Sequence, residues 1–338
     1  MNIIKPLLCS TIAGVGLLLP GAAGANDSTA TLAAGGLVFA KSSSIKMVSE
    51  DLFLSEKQVR VLYRFKNTAA QAQTVEVAFP LPDLAPDPYD IEGSPVPLDG
   101  PTNFLGFKTR VDGKPVLAKV ELKAVFKGVD ETALMRRLHV PLNPFPEATD
   151  KALTNLSPAN QRKLIKLGLA KRECCDVDSN GDTHDKKTLE GRWTLKTTYH
   201  WKQTFPAGRE MIVEHQYVPV VGHWVANNWF VNPDSNMASV VEKERKEYCV
   251  DQNFISAVRA NKAGNKFLTD YLKYVLTTGA NWAGPIGDFK MTVDKGNAAN
   301  MVSFCGDNVQ KLGSTTFQVH YRNFTPKHDV GVLILTPR

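Results

Sequence analysis

The sequence predicts a mainly β protein with a helical insert: β-sandwich-like antiparallel sheets, α+β in overall content. Three observations predict it. Val59 to Pro82 holds two runs of alternating apolar and polar residues, parted by a small polar stretch. Trp193 to Gly222 restates that design. Between the two lies a run with helical spacing behind a Ser-Pro start.

Residues 26–36 are small and polar and read as an N-terminal arm. Leu37 to Phe39 and Ile45 to Val48 suit short strands. Val59, Val61, Tyr63 and Phe65 then alternate with Arg60, Leu62, Arg64 and Lys66, giving one apolar and one mostly basic face. Asn67 to Gln73 suits a turn. Val75, Val77 and Phe79 return, so the pair reads as a hairpin with both apolar sets on one core, and Glu76 can face a basic neighbour. Pro80 and Pro82 cannot donate to a ladder and stop the strand.

The proline-rich stretch from Asp83 to Thr102 reads as an extended loop. Phe104 to Val111 and Val116 to Val120 flank Asp112-Gly113, a strong hairpin turn. Glu121 to Met135 is compatible with a helix whose apolar face is Ala124, Val125 and Phe126. After the boundary at Pro141 to Pro146, Ser157 caps a helix with Pro158 at its first position, ending near Lys171. Arg172 to Leu189 is charged and turn-rich, an exposed loop. Strands follow at 193–203 and 211–217 around Phe205-Pro206-Ala207-Gly208. Val240 to Tyr248 and Phe254 to Leu276 read as helices, the second broken near Gly264. Phe289 to Val293, Thr315 to Tyr321 and Val330 to Leu335 close the chain as strands. The expected division is a signal peptide at 1–25, a β-sandwich-like domain at 26–145, a helical insert and loop at 146–190, and a β-rich domain with helices at 191–338.

The chain has 338 residues, 43% hydrophobic and 22% charged, a globular composition with room for two domains. Lys5, the apolar run Leu7 to Leu19 and Ala23-Gly24-Ala25 make a secretory signal cleaved after Ala25, too short to span a bilayer. Its removal takes one lysine and no acid, so the net charge falls from +6 to +5. That charge is spread out and forms no basic stripe, which argues against a nucleic-acid partner. No later stretch is apolar enough for a membrane span. A soluble periplasmic product is expected. Four cysteines remain, and an oxidising compartment favours disulfides. Three connectivities are open. Adjacent cysteines bridge only under strain. Cys249–Cys305 is the preferred pair, since both lie in the C-terminal half beside ordered-looking elements, with Cys174 and Cys175 left as thiols, intermolecular contacts or metal ligands.

A resemblance covers nearly the whole mature chain. Phe65, Asn67, Phe79-Pro80-Leu81-Pro82, Val111-Asp112-Gly113-Lys114, Val116 and Lys123 to Phe126 resemble the vault protein inter-alpha-trypsin domain, a β-sandwich. A closer resemblance is to the bacterial domain-of-unknown-function 4424 family. It runs through Asn26-Asp27-Ser28, Ala34-Gly35-Gly36-Leu37, Ser49-Glu50-Asp51-Leu52 and Phe205-Pro206-Ala207-Gly208. It continues at Tyr217-Val218-Pro219, Tyr248-Cys249 and Thr277 to Trp282, and ends with Gly284 to Phe289 and Phe304-Cys305-Gly306. The resemblance implies a periplasmic β-rich protein; it brings no activity and no catalytic residues with it.

Chemistry-bearing residues are sparse. Asp176, Asp178, Asn180 and Asp182 have the start of a calcium loop, but Lys187 stands where a bidentate Glu belongs. A solvated turn is the weightier reading, and weak calcium is the one cofactor considered. His200, His215 and His223 would need converging imidazoles to hold zinc; separate structural histidines carry more weight. Trp201, Trp224, Trp229 and Trp282, with Asn227, Asn228, Asn281 and Asp288, could line a groove for a sugar or peptidoglycan fragment, against the ordinary reading of packed rings. No G-x-S-x-G or H-E-x-x-H occurs, and no catalytic residue is assigned. The leading expectation is a non-catalytic ligand-binding or protein-interaction module of the cell envelope, its partner an envelope protein or glycan. The alternative is an envelope enzyme acting on glycan or peptide.

Overall fold

A computed structural model describes residues 27–33, 36–86, 103–172, 176–177, 183–184, 188–224, 238–261 and 267–338. The chain opens with β1 (Ser28–Ala33), β2 (Gly36–Ala40), β3 (Ile45–Ser55), β4 (Gln58–Asn67) and β5 (Gln73–Pro80). Then come β6 (Lys108–Val111), β7 (Lys114–Val116), β8 (Lys119–Phe126) and β9 (Val129–Asp130). Helices α1 (Thr132–Arg137), α2 (Glu147–Thr154) and α3 (Pro158–Leu167) form the insert. Short pairs follow: β10 (Ala170–Arg172) with β13 (Leu189–Gly191), and β11 (Asp176–Val177) with β12 (Thr183–His184). Next are β14 (Thr194–Phe205), β15 (Glu210–Tyr217), β16 (Val221–Trp224), α4 (Ala238–Glu247) and α5 (Gln252–Ala260). The last strands are β17 (Phe267–Tyr274), β18 (Ile286–Asp294), β19 (Met301–Phe304), β20 (Gln310–Lys311), β21 (Thr316–Phe324) and β22 (Val330–Pro337).

The protein is mainly β with a helical insert. Among the described residues, a six-stranded sheet runs β2-β1-β5-β14-β8-β9, an eight-stranded sheet runs β20-β21-β18-β3-β4-β15-β6-β7, and a four-stranded sheet runs β16-β17-β22-β19. Strands from before residue 145 and after residue 191 share both larger sheets. Their inner faces meet in one core, with Val77, Phe79, Tyr199 and Trp201 on one side and Val59, Val61, Tyr63, Phe65 and Val213 on the other. The four-stranded sheet contributes Leu272, Tyr274, Val332 and Ile334 to that core. Its opposite face, with Phe267, Leu333 and Leu335, packs on Val241, Ile255 and Val258 of α4 and α5.

The alternation in Val59 to Phe79 is present, but the hairpin is not. β4 pairs with β3 and β15 in the eight-stranded sheet, whereas β5 pairs with β1 and β14 in the six-stranded one. The chain therefore arches from one sheet to the other at residues 68–72. β14 and β15 make a second arch, and the two stack strand on strand. Asn67 locks the corner and is fully buried. Its Nδ2 donates to the carbonyls of Gln71 and Phe205, both at 2.9 Å, and its Oδ1 accepts from the Ala69 amide at 2.9 Å. Its own carbonyl accepts from the Gly208 amide at 2.9 Å. Gly208 sits at φ 67°, a conformation glycine adopts without a Cβ penalty.

Two expected helices are strands over part of their length: α1 keeps the end of the first and α5 the start of the second. Residues 119–126 are β8, with Lys119, Glu121 and Lys123 facing opposite to Val120 and Ala124. Helix-forming Ala, Leu, Lys and Glu there are overridden by pairing with β14. Residues 267–274 are β17, whose apolar residues crowd together because both its faces are buried. The expected N-terminal arm is in part β1, paired with β2 and β5. Ser157 does cap α3, with Pro158 at its first turn and Gly168 at φ 77° closing it. The α1–α3 insert packs Leu134, Met135, Leu153 and Leu164 around Trp193.

Cys249 and Cys305 are bonded, as the sequence prefers, and tie the end of α4 to the exit of β19. Cys174 and Cys175 lie outside the described residues.

Replacing Asn67 by Ala leaves two carbonyls and an amide of the corner without partners. We expect a loss of about 2–3 kcal/mol in urea unfolding; a change below about 1 kcal/mol would show the corner to be dispensable. Replacing Cys249 and Cys305 together by Ser opens a crosslink spanning 56 positions. The chain-entropy model puts the loss at about 4 kcal/mol in the same measurement.

Candidate functional site

The aromatic and amide residues expected to line a groove are not gathered into one. Trp201 and Trp282 are buried in the main core. The Trp282 ring lies 4.5 Å from that of Phe65, and its Nε1 donates to the Asp27 carbonyl. Asn281 donates from Nδ2 to Ser28 Oγ at 3.0 Å. Asp288, on β18, accepts from His320 Nε2 at 2.6 Å and from an Arg322 guanidinium nitrogen at 2.9 Å. Trp224 pairs through its backbone with Thr269. Asn227, Asn228 and Trp229 lie outside the described residues, as do Asp178, Asn180 and Asp182; the Asp176 backbone pairs with His184.

The histidines are held apart, each by its own carboxylate. His200 Nδ1 meets Glu76 Oε1 at 2.6 Å on the outer face of the six-stranded sheet. His215 lies in the core, its Nε2 3.0 Å from Asp27 Oδ1, with the rings of Phe79, Phe107 and Trp201 within 5.3 Å. Burial raises the Asp27 carboxyl, and the His215 charge and hydrogen bond work the other way. Beside it Tyr63 and Tyr274 join their hydroxyls at 3.0 Å, and burial pushes both well above the ordinary phenol range. This polar knot is sealed from solvent, so it fastens the start of β1 to the core and binds nothing from outside.

A titratable cluster lies nearer the surface. His223 on β16 faces Asp270 on β17 across the ladder, and its Nδ1 bonds Asp270 Oδ1. Glu56, in the turn between β3 and β4, has its carboxyl pushed up to about 7. Burial is the largest cause, followed by the Asp270 charge and a hydrogen bond to it; the charges of His223 and Lys57 oppose. The Glu56 carboxyl thus holds its proton toward neutrality. A carboxyl whose folded pKa is raised favours the protonated fold, so its contribution is present at low pH and lost as pH rises from the unfolded value of about 4.5 through about 7. Glu56→Gln should therefore flatten the fall in stability across pH 4.5 to 7, read as unfolding midpoints along a pH series. An unchanged slope would show that Glu56 does not carry this pH dependence.

The remaining feature is a cleft. The β1–β2 hairpin folds over the outer face of its own sheet, where Ala30, Leu37 and Phe39 pack on Ala78. The Leu37 amide donates to Glu121 Oε1 at 3.0 Å, fixing the hairpin to β8. Beneath it lies a cleft of about 70 Å³, walled by Leu37, Phe39, Pro80 and Leu81 and floored by Lys123, Lys196, Thr197 and Thr198. Lys123 and Lys196 stand directly opposite one another on β8 and β14. Each has an acid at its side: Lys196 Nζ is 2.6 Å from Asp83 Oδ2, and Lys123 Nζ is 3.3 Å from Glu121 Oε2. These side chains keep 22–41% of their surface exposed, so the pairs are reachable from solvent. None of these residues was singled out from sequence as a site residue, because the cleft assembles four distant segments and only the fold brings them together.

Among curated proteins none matches the chain. Of solved structures, a candidate nutrient-binding protein from Legionella pneumophila is 16% identical, with 92% of this chain and 70% of that one covered at a TM-score of 0.45. An M1 zinc metallopeptidase from Deinococcus radiodurans is 8% identical over 88% of this chain and 43% of that one, at a TM-score of 0.22. A point mutant of the same peptidase is 9% identical at the same score. Likenesses at these scores carry no argument about function. The sequence family is another matter: the model of the domain of unknown function 4424 matches residues 25–333, nearly the full length, and the chain belongs to that family.

Proposed function

We propose that this chain is an exported, non-catalytic binding module of the cell envelope that holds a small polar solute beneath its β1–β2 hairpin. The cleft carries this reading: it is concave, apolar on its walls and charged on its floor, as small-ligand sites are. Its ion pairs are partly exposed, hence weak and easily exchanged for contacts to a ligand. Export rests on the signal-like residues 1–25 and agrees with the Cys249–Cys305 bond, since disulfides persist in oxidising compartments. Among the described residues no helix is long and apolar enough to cross a membrane.

A second reading, an envelope enzyme acting on glycan or peptide, draws on one observation. Glu56, beside the hydrogen-bonded Asp270 and His223, has a carboxyl pushed up to about 7, and general acid–base chemistry requires such a group.

A thermal-shift series with small amino acids, amines, carboxylates and sugars separates the two. A solute that binds the folded state raises the unfolding midpoint by mass action. We expect at least one small solute to raise it in the native protein and not in Thr198→Trp, where the larger side chain fills the cleft. No shift with any solute, together with glycan or peptide turnover lost in Glu56→Gln, would favour the enzyme.

A further inference from the structure

The cleft's charge inventory points to a ligand class, and this inference rests on the small-solute reading above. We propose that the solute is a small α-amino acid, with Lys123 and Lys196 taking its carboxylate and Asp83 and Glu121 taking its ammonium.

Size sets the first limit. A cavity needs roughly 10–15 Å³ of such volume per water-sized occupant. The cleft's 70 Å³ therefore holds about five to seven non-hydrogen atoms, the size of glycine, alanine or serine. A hexose ring with its substituents is about twice as large and cannot be enclosed.

Charge sets the second limit. Two lysines and two acids line the one cleft. Lys123 and Lys196 are cross-strand neighbours, and like charges in that position repel. An anion placed between them attracts both ammonium groups at once. A ligand carboxylate placed there draws the lysines away from Asp83 and Glu121, and those carboxylates then require a cation. A ligand with an ammonium one carbon away supplies it, so each ion pair that opens is replaced. A simple carboxylate leaves the two acids without partners, and a simple amine does the same to the lysines. Glu121 is already oriented, because its Oε1 accepts from the Leu37 amide while its Oε2 faces Lys123.

The walls set the third. Leu37, Phe39, Pro80 and Leu81 offer only apolar contact, which strengthens the polar contacts on the floor and suits a short aliphatic side chain.

Isothermal titration with L-alanine, alanine methyl ester, N-acetylalanine, propionate, alanyl-alanine and glucose tests this on the intact protein. Alanine is expected to bind, and the ester, the acetylated form, propionate and the dipeptide to bind at least tenfold more weakly. Glucose is expected not to bind. Lys123→Gln and Lys196→Gln should each weaken alanine at least tenfold with the unfolding midpoint nearly unchanged. If either variant fails to fold, the ligand series on the native protein still decides. A single-charge analogue, the dipeptide or glucose binding as tightly as alanine, with that binding lost in Lys196→Gln, overturns the amino-acid inference and leaves the small-solute reading standing. If none of these ligands binds, the amino-acid inference falls, and the wider thermal-shift series decides the small-solute reading.

Discussion

Everything in this fold depends on the chain changing sheets at Asn67. A hairpin at that point would keep β4 and β5 in one sheet, and the apolar faces would need a partner from elsewhere. The arch instead places Val61, Tyr63 and Phe65 opposite Val77 and Phe79 across a shared core. Three side-chain hydrogen bonds from a single buried amide define the corner, and two of them reach only within the arch itself. The third binds the Phe205 carbonyl of the stacked arch, so neither arch closes independently of the other.

The cleft inherits its shape from the core. β1 begins at Ser28, directly after Asp27, whose carboxylate is fixed to His215 and whose carbonyl accepts from Trp282. Asn281 holds Ser28 from the same side. The roof of the cleft, β2, is paired to β1 along five positions. A cleft lined by half-exposed lysines and acids is thus positioned by a sealed polar knot on the opposite side of the sheet. This is an economical way to hold a surface hairpin, since loops without such anchors are the least stable parts of a fold.

The sequence made some of this legible and hid the rest for identifiable reasons. Alternation in β4 and β15 is readable because each has one buried face, and in β5 and β14 it survives in the sequence although part of each strand is buried on both faces. Their partners are not, because the polar residues 67–73 suit a tight turn and an arch equally well. β17 loses its alternation to burial on both faces, and β8 carries helix-forming residues that pairing overrules. The disulfide is readable because Cys249 and Cys305 both lie in the C-terminal half beside segments that read as ordered elements. The carboxylate partners of the histidines are not, since they stand 32 to 188 positions away. The cleft is hidden by the same distance: Asp83, Glu121, Lys123 and Lys196 look like ordinary surface charges until the sheet aligns them.

One pairing bears on how the molecule comes into being. β3 lies parallel to β18, with Ser49 beside Asp288 and Leu54 beside Val293. The eight-stranded sheet is therefore completed across its middle by a strand near the far end of the chain. Until that strand has been synthesised, β3 presents an unfilled edge, the kind of surface that invites pairing with other chains. Contacts this distant in sequence also form slowly, because the intervening chain must be closed before they repay its ordering. The protein is built to reach its native state as a whole chain, and it needs protection from its neighbours for as long as that takes.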